Sequence, residues 1–494
     1  MIDNIIILGG GTAGLVAASM LKTSFPKLDV TLIESSKYGI VGVGEGSTEH
    51  WKTFMEHCNI DPLRLFSETG ATYKTGIKFE NWHGDDTSYW HSLPEFASYP
   101  DTKTSIFPTM VKIIADNSPP DFSVYPMTLL SRHAEPFHDI MSQYHFDTFK
   151  LNKFLHDVCF EKGVSIVDDI IEDVIVDEHG FVTSLKGVKG LYTSEFFIDA
   201  SGFRRIISMK LGVKWKDQSD YLPMNSAIAA PSRYEDELPS HTVAKALSAG
   251  WSWRIPTQDR FGNGYVYCDK FITDNDAEKE FKGQFNYNIE IGKKFKFSAG
   301  YLDELWTKNC VSIGLSALFV EPLEASSIGS TIQQMFGFIS SIIYWDKDNL
   351  HPAKRFNTDF LKVASNIVDF IQLHYITQRR DTEFWRWINT EVKLTDFNAE
   401  HLERFKNYLP GINDFNYHYL MFKEINYMQV MHGLRLFNNN KIKEMYQKHF
   451  MHFDQYIEDG IKNTRETCYN TIEQFRPHRE CLNTLKQRYK EQSQ

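Results

Sequence analysis

Ile5-Ile6-Ile7-Leu8-Gly9-Gly10-Gly11-Thr12-Ala13-Gly14 opens the chain as an apolar run that ends in a glycine turn. Four consecutive large aliphatic residues read as a strand buried on both faces of a parallel sheet. Leu15 to Leu21 continues with small and apolar residues, as a helix does. A second strand, Val30 to Ile33, ends in Glu34. The spacing Gly9-x-Gly11-x-x-Gly14, between a strand and a helix, is that of a dinucleotide-binding turn. The first glycine permits the tight turn, the second lets the backbone approach a pyrophosphate, and the third lets helix and strand pack closely. The helix start, with Thr12 and Ala13 in its first turn, offers N–H donors and a positive dipole end to the phosphates. Glu34 would accept from a ribose hydroxyl. The alternative is a glycine-rich turn without a ligand.

Working outward, two later segments repeat the strand-then-glycine pattern. One is Phe196-Phe197-Ile198-Asp199-Ala200-Ser201-Gly202, the other Cys310-Val311-Ser312-Ile313-Gly314. Both are similar to the returning turns that touch FAD in glutathione-reductase-type flavoproteins, which favours FAD over NAD and adds Asp199 and Gly314 to the cofactor residues. No second complete glycine fingerprint marks an NAD(P)H domain. The expected fold is α/β: a glutathione-reductase-type FAD-binding fold with a Rossmann-like parallel sheet, an inserted antiparallel-sheet substrate region and a helical C-terminal part. The expected domains are a discontinuous FAD-binding domain over 1–80, 150–212 and 296–345, a substrate region over 81–149 and 213–295, and a helical region over 346–494. Residues 95–125, rich in Pro, Ser and Thr, read as loop. Alternating Val/Ile and charge over 163–190 reads as an antiparallel meander. Phe360, Ala364, Ile367 and Ile371 share one face of a helix. The last twenty residues are highly charged and are expected to fray.

Composition narrows the function. Of 494 residues, 53 are Lys or Arg and 64 Asp or Glu, a net charge of −11 that disfavours nonspecific nucleic-acid binding. Any anionic cofactor or halide therefore needs a local positive site. The six cysteines are scattered without a C-x-x-C, which fits a reducing, cytoplasmic setting without a disulfide framework. No Cys/His cluster has zinc spacing, so no metal is expected. There is no basic signal-peptide n-region and no run of membrane-spanning length.

Trp251-Ser252-Trp253-Arg254-Ile255-Pro256 places two indoles on one face of a short strand. Taken alone this is core. With Lys74 and the N-terminal fingerprint it becomes part of an ordered set of six segments. These are Gly9–Gly14; Gly42-Val43-Gly44-Glu45; Ala71 to Trp82, containing Lys74; Trp251–Pro256 with Gly262 to Tyr267; Gly314 to Glu324; and His374-Tyr375 through Arg380 to Trp385. Over residues 1–390 the chain resembles flavin-dependent halogenases of the tryptophan-halogenase type.

That resemblance implies a mechanism. FADH2 from a separate flavin reductase reacts with oxygen to give a flavin C4a-hydroperoxide, and halide attacks it to give hypohalous acid. A lysine then holds the electrophile, by hydrogen bonding or as a haloamine, and delivers it to a small electron-rich aromatic substrate. Lys74 matches that lysine, burial lowering its pKa towards a poised amine. Lys78, which would share one face with Lys74 in the strand-like stretch Ala71 to Trp82, is the rival, four residues past the family position. Glu324 matches the glutamate that takes the ring proton or stabilises the cationic intermediate, with Glu321 as runner-up and a helix-start carboxylate as the plain alternative. Trp251, Trp253, Ile255 and Pro256 form the wall between flavin and substrate. Gly44, Glu45 and Pro322 join the cofactor residues.

The family continues Glu-Ser-Thr-Gly where this chain has Glu324-Ala325-Ser326-Ser327-Ile328-Gly329. Backbone N–H groups of Ser326 and Ser327 could still bind chloride, bromide or iodide. Trp82, His83, Trp90, His91 and Phe96 could face the substrate, with core packing the equal alternative. The C-terminal half shows no match to residues that grip free tryptophan. The competing functions are a flavin monooxygenase or epoxidase of the same fold, and a flavin-binding protein without activity. The acidic, aromatic-rich C-terminal helices offer a surface for a second subunit, so a homo-oligomer stays open.

Overall fold

The computed structural model describes residues 2–40, 42, 45–92, 106–116, 143–415, 419–474 and 476–492. Two compact units emerge. The first comprises residues 1–71, 142–219 and 298–365, the second residues 72–141, 220–297 and 366–494.

The first unit is built on a six-stranded sheet. Its order is Trp306–Thr307, Cys310–Ser312, Phe196–Asp199, Asn4–Leu8, Asp29–Glu34 and Ser165–Asp168. All neighbours run parallel except the first pair. The Ile5–Leu8 run is buried throughout, as its lack of alternation requires. The pieces near 196 and 310 enter this sheet beside it, so the α/β fold expected from three separated strand-glycine segments is the fold observed. Ser165–Asp168 is the far edge of this sheet and not part of the expected meander, which begins at Ile171 and runs through Val182–Gly187 to Leu191–Thr193.

The second unit is built on a seven-stranded sheet. Its order is Lys293–Lys296, Ser226–Ser232, Phe261–Tyr267, Gly250–Pro256, Thr242–Ala246, Gly76–Glu80 and Ser88–Ser92. Only the pair Thr242–Ala246 and Gly76–Glu80 is parallel. Residues 72–80, attached by sequence to the first domain, belong here because Gly76–Glu80 pairs on both sides within this sheet. Helices of residues 366–494 group with the same unit. Phe360, Ala364, Ile367 and Ile371 of the helix His351–His374 are all buried.

Two local expectations are corrected. Ile106–Asp116, within the expected loop, is a helix; Met110, Val111, Ile113 and Ile114 are buried on it, and their apolar gain outweighs the turn-forming residues around them. The expected fraying of the last twenty residues also fails over the described part. His478–Gln492 is a helix that buries His478, Cys481, Leu482 and Leu485, an i, i+3, i+4, i+7 stripe. Among the described residues no helix is long and apolar enough to cross a membrane.

Candidate active site

The nucleotide loop is shaped by what each glycine faces. Gly9 has φ +127°, and a Cβ there would stand 2.1 Å from Ala200 O. The turn after strand Phe196–Asp199 therefore seats directly on the loop. A Cβ on Gly14 would stand 1.9 Å from Gly9 O, which is the close helix–strand approach. A Cβ on Gly11 would meet nothing within 4 Å. Gly11 caps the helix Thr12–Ser24 without a side-chain cap, so the first-turn N–H groups of Thr12, Ala13 and Gly14 get no hydrogen bond from it. Open space over Gly11 beside these donors fits a dinucleotide pyrophosphate.

This contrast gives a prediction. Gly14→Ala will destabilise the fold by about 2 kcal/mol through overpacking. Gly11→Ala will leave the melting temperature unchanged yet weaken FAD at least tenfold in a fluorescence titration. Equal flavin affinity in Gly11→Ala and parent would show that the space is not the cofactor's.

Glu34 ends its strand with its carboxylate over Gly10, whose Cβ would stand 1.8 Å from Oε2. The same Oε2 accepts from His156 Nε2 at 3.0 Å. Asn152 donates to Gly10 O at 2.8 Å. Neither Asn152 nor His156 belongs to any glycine pattern, and sequence spacing misses them because they come from a helix 142 and 122 residues from their partners. Gly314 seats against Ala13, a Cβ there standing 2.5 Å from the Ala13 Cβ, and its N–H donates to Gln334 Oε1 at 3.1 Å.

Asp199 braces the turn that seats on the loop. Its Oδ1 accepts from the Ser201 N–H at 3.0 Å and the Ser201 hydroxyl at 2.6 Å. Its Oδ2 accepts from the N–H groups of Ile207 and Ser208 at 2.9 and 3.0 Å. A fully buried carboxylate with both oxygens used by its own chain fixes the turn against the loop.

Gly44 lies outside the described residues. Glu45 begins a short strand paired with Tyr144–Phe146. Burial pushes its carboxyl up to about 7, so near neutral pH it is present in both protonation states. Its Oε2 is buried without a hydrogen-bond partner among the described residues, which suits a polar group of a bound cofactor.

Glu324 closes the turn Pro322–Glu324 and is 4% exposed, while Pro322 at the turn's start is exposed. Ala325 follows at φ 54°, a left-handed conformation that a Cβ disfavours. It caps the 17-residue helix Ser326–Ile342 without a side-chain hydrogen bond. Ser326 is buried and Ser327 exposed at that helix start. Glu321 is buried too.

In the second unit, Lys74 is 3% exposed. The strand Thr72–Tyr73 stops before it and Gly76–Glu80 starts after Thr75. The break removes the alternation that would have put Lys74 and Lys78 on one face. Gly76 makes it: φ is +152°, and a Cβ would stand 2.6 Å from His91 O. Lys78 is half-buried and pairs with Glu80 at 2.6 Å.

Trp251 and Trp253 lie on the strand Gly250–Pro256 with ring centroids 6.2 Å apart. Both are buried, as is Ile255. Trp253 stands opposite Gly264 in the neighbouring strand, where a Cβ would be 2.0 Å from its Cη2. Gly264 is thus the seat of the indole, legible only once the register is known. Pro256 closes the strand opposite Phe261, and its carbonyl accepts from Thr72 Oγ1 at 2.8 Å.

The aromatic cluster proposed for substrate does not converge. Trp82 is core: its Nε1 donates to Ala244 O at 3.0 Å, and its ring packs on Tyr375 and Trp385. His83 bonds Gly433 O. Trp90 and His91 project from opposite faces of one strand, towards His241 and Asn426 respectively. Phe96 lies outside the described residues.

The chain matches the model of the tryptophan halogenase family over residues 4–448. It is 31% identical over 480 residues to tryptophan 7-halogenase RebH of Lentzea aerocolonigenes, covering 88% of this chain and 90% of that one. It is 30% identical over 473 residues to tryptophan 6-halogenase SttH of Streptomyces toxytricini, covering 87% and 89%. The crystal structure of a tryptophan halogenase from Shewanella frigidimarina NCIMB 400 superposes with a TM-score of 0.90 at 25% identity, covering 98% of each chain. With a flavin-type loop, a buried lysine and a paired-tryptophan strand in place, the chain belongs to the tryptophan-halogenase family and is a flavin-dependent halogenase.

Proposed function

We propose that this enzyme uses oxygen, with FADH2 from a separate reductase, to oxidise a halide, and transfers the resulting electrophilic halogen through Lys74 to a small electron-rich arene. The observation that carries the reading is the contrast of the two lysines. Lys74 is buried in a strand break, whereas Lys78 is half-exposed and neutralised by Glu80. Bound reduced FAD would supply the electrons that activate oxygen for halide oxidation. The loop Gly9–Gly14, Glu34, Glu45 and Gly314 would hold it, with Asp199 bracing the turn.

The chain's own residues do the rest. N–H groups of Ser326 and Ser327 at the helix start hold chloride, bromide or iodide. The Lys74 amine accepts hypohalous acid as a hydrogen-bonded guest, or forms an N–halogen bond while hydroxide leaves with the amine proton as water. The arene's π electrons then take the halogen, the N–halogen pair stays on nitrogen, which takes up a proton from water to restore the amine, and the ring proton passes to a Glu324 carboxylate oxygen and on to water. Trp251, Trp253, Ile255 and Pro256 keep substrate away from the flavin.

The test supplies protein, FAD, a flavin reductase, each halide in turn and a panel of phenols and indoles. Tryptophan is included because the relatives in Lentzea and Streptomyces are named for it. Mass spectrometry should find a halogenated product only with halide present. An oxygenated product formed without halide would instead establish a monooxygenase.

A further inference from the structure

We propose that His478, at the start of the C-terminal helix His478–Gln492, is a positioning residue for Lys74, so that this helix is part of the halogen-transfer machinery. The proposal rests on assigning halogen transfer to Lys74.

Lys74 and Thr75 lie between two strands, so no continuous ladder sets the lysine backbone. Around it a backbone bond from Thr75 and side-chain bonds from His478 and Thr75 act together. His478 is 1% exposed. Its Nε2 accepts from the Tyr73 N–H at 3.3 Å, and its Nδ1 lies 3.3 Å from Leu238 O. A backbone N–H can only donate and a carbonyl can only accept, so the imidazole is neutral with its proton on Nδ1. Its ring stacks on Tyr73 at 6.0 Å between centroids. Two residues beyond Leu238, Ser240 O accepts from the Thr75 N–H at 2.7 Å and Thr75 Oγ1 at 2.9 Å. Both neighbours of Lys74 are thereby tied to one segment, 238–240, with His478 bridging to it from the Tyr73 side.

Arg479 extends the clamp to the paired-tryptophan strand. Its Nη1 donates to Gln258 O at 3.0 Å and its Nη2 to Glu235 O at 2.9 Å. Gln258 follows Pro256 by two residues, and Thr72 already bonds Pro256. The start of one helix thus fixes the lysine segment and the end of the tryptophan strand together. Burial pushes His478 down to about 4, which keeps Nε2 an acceptor at working pH. A proton there would set donor against donor at Tyr73. A misplacement of about 1 Å at a reacting group can cost about a hundredfold in rate, so loss of this bridge should show in transfer.

The test compares His478→Leu, which can neither donate nor accept, with His478→Gln, which can do both. Melting temperature, FAD affinity, oxygen uptake, arene kinetics and leaked hypohalite on a diffusing trap are measured for each. In His478→Leu, kcat for product should fall about 10- to 100-fold with KM unchanged, flavin affinity and oxygen uptake at parent level, and hypohalite leak raised. His478→Gln should recover to within about threefold. Product at parent level in His478→Leu, an equal fall in oxygen uptake, or no recovery in folded His478→Gln each overturns the proposal. If His478→Leu does not fold, His478→Asn, too short to reach both partners, takes its place under the same criteria. Lys74→Ala is run in parallel. Parent-level product there would overturn the lysine assignment itself, whereas a dead Lys74→Ala beside a fully active His478→Leu overturns only the positioning role.

Discussion

Lys74→Ala will lower halogenated product about a thousandfold, within the range for a positioned acid–base or nucleophilic group, while reduced flavin is still reoxidised and hydrogen peroxide released at the parent rate. The two activities separate because Lys74 has no place in the nucleotide loop. It lies in the second unit, in a strand break that Gly76 creates. Lys78→Ala is the control. That side chain is half-exposed and spent on Glu80, and such a surface pair contributes roughly 0–1 kcal/mol, so product should stay within about fivefold. Lys74→Arg should not rescue, because a guanidinium stays protonated and cannot carry an N–halogen bond by this route. Circular dichroism on each variant separates chemistry from folding. Product in Lys74→Ala clearly above that from free hypohalite would remove the lysine from the mechanism.

What could be read from the sequence was local, or carried by patterns that stay local. The run Ile5–Leu8 and the glycines after it specify strand, turn and helix within twenty residues. The strands at 196 and 310 carry the same apolar-then-glycine signature, so their membership in one sheet could be inferred across long gaps. The strand break at Lys74 could not. Alternation assumes a continuous strand, and the residue that interrupts it, Gly76, matters because His91 O approaches from a neighbouring strand. The bonds of Asp199 to Ile207 and Ser208 are equally beyond a local pattern, because those partners come from the next helix. The charge density of the C-terminus hides a buried stripe of four residues, so composition alone points to fraying where a helix packs. His478 reaches Tyr73 across 405 positions, a separation at which no spacing rule applies.

Trp253→Ala will be the most damaging change to the tryptophan strand, costing about 3–5 kcal/mol as a truncated core aromatic and shifting flux from halogenated product to peroxide and leaked hypohalite. The stability cost follows from how the indole is seated. Trp253 lies opposite Gly264, and the space a Cβ would need there is filled by the Cη2 and Cζ2 edge of the ring. Removing the ring leaves a void that a glycine partner cannot fill. Gly264→Ala attacks the same contact from the other strand, its new methyl forced into the ring and against Ile228 O, so it should mimic Trp253→Ala in both readouts. Trp253→Phe keeps an aromatic ring in the seat and should fall between. Calorimetry gives the stability term, and the ratio of product to hydrogen peroxide gives the functional one. The two terms discriminate the roles of the indole: a purely structural tryptophan would lower the melting temperature and leave that ratio unchanged at a temperature where the variant is folded. A wall between flavin and substrate must change the ratio in the folded variant, because exclusion is a property of the filled space and not of the stability that filling it confers.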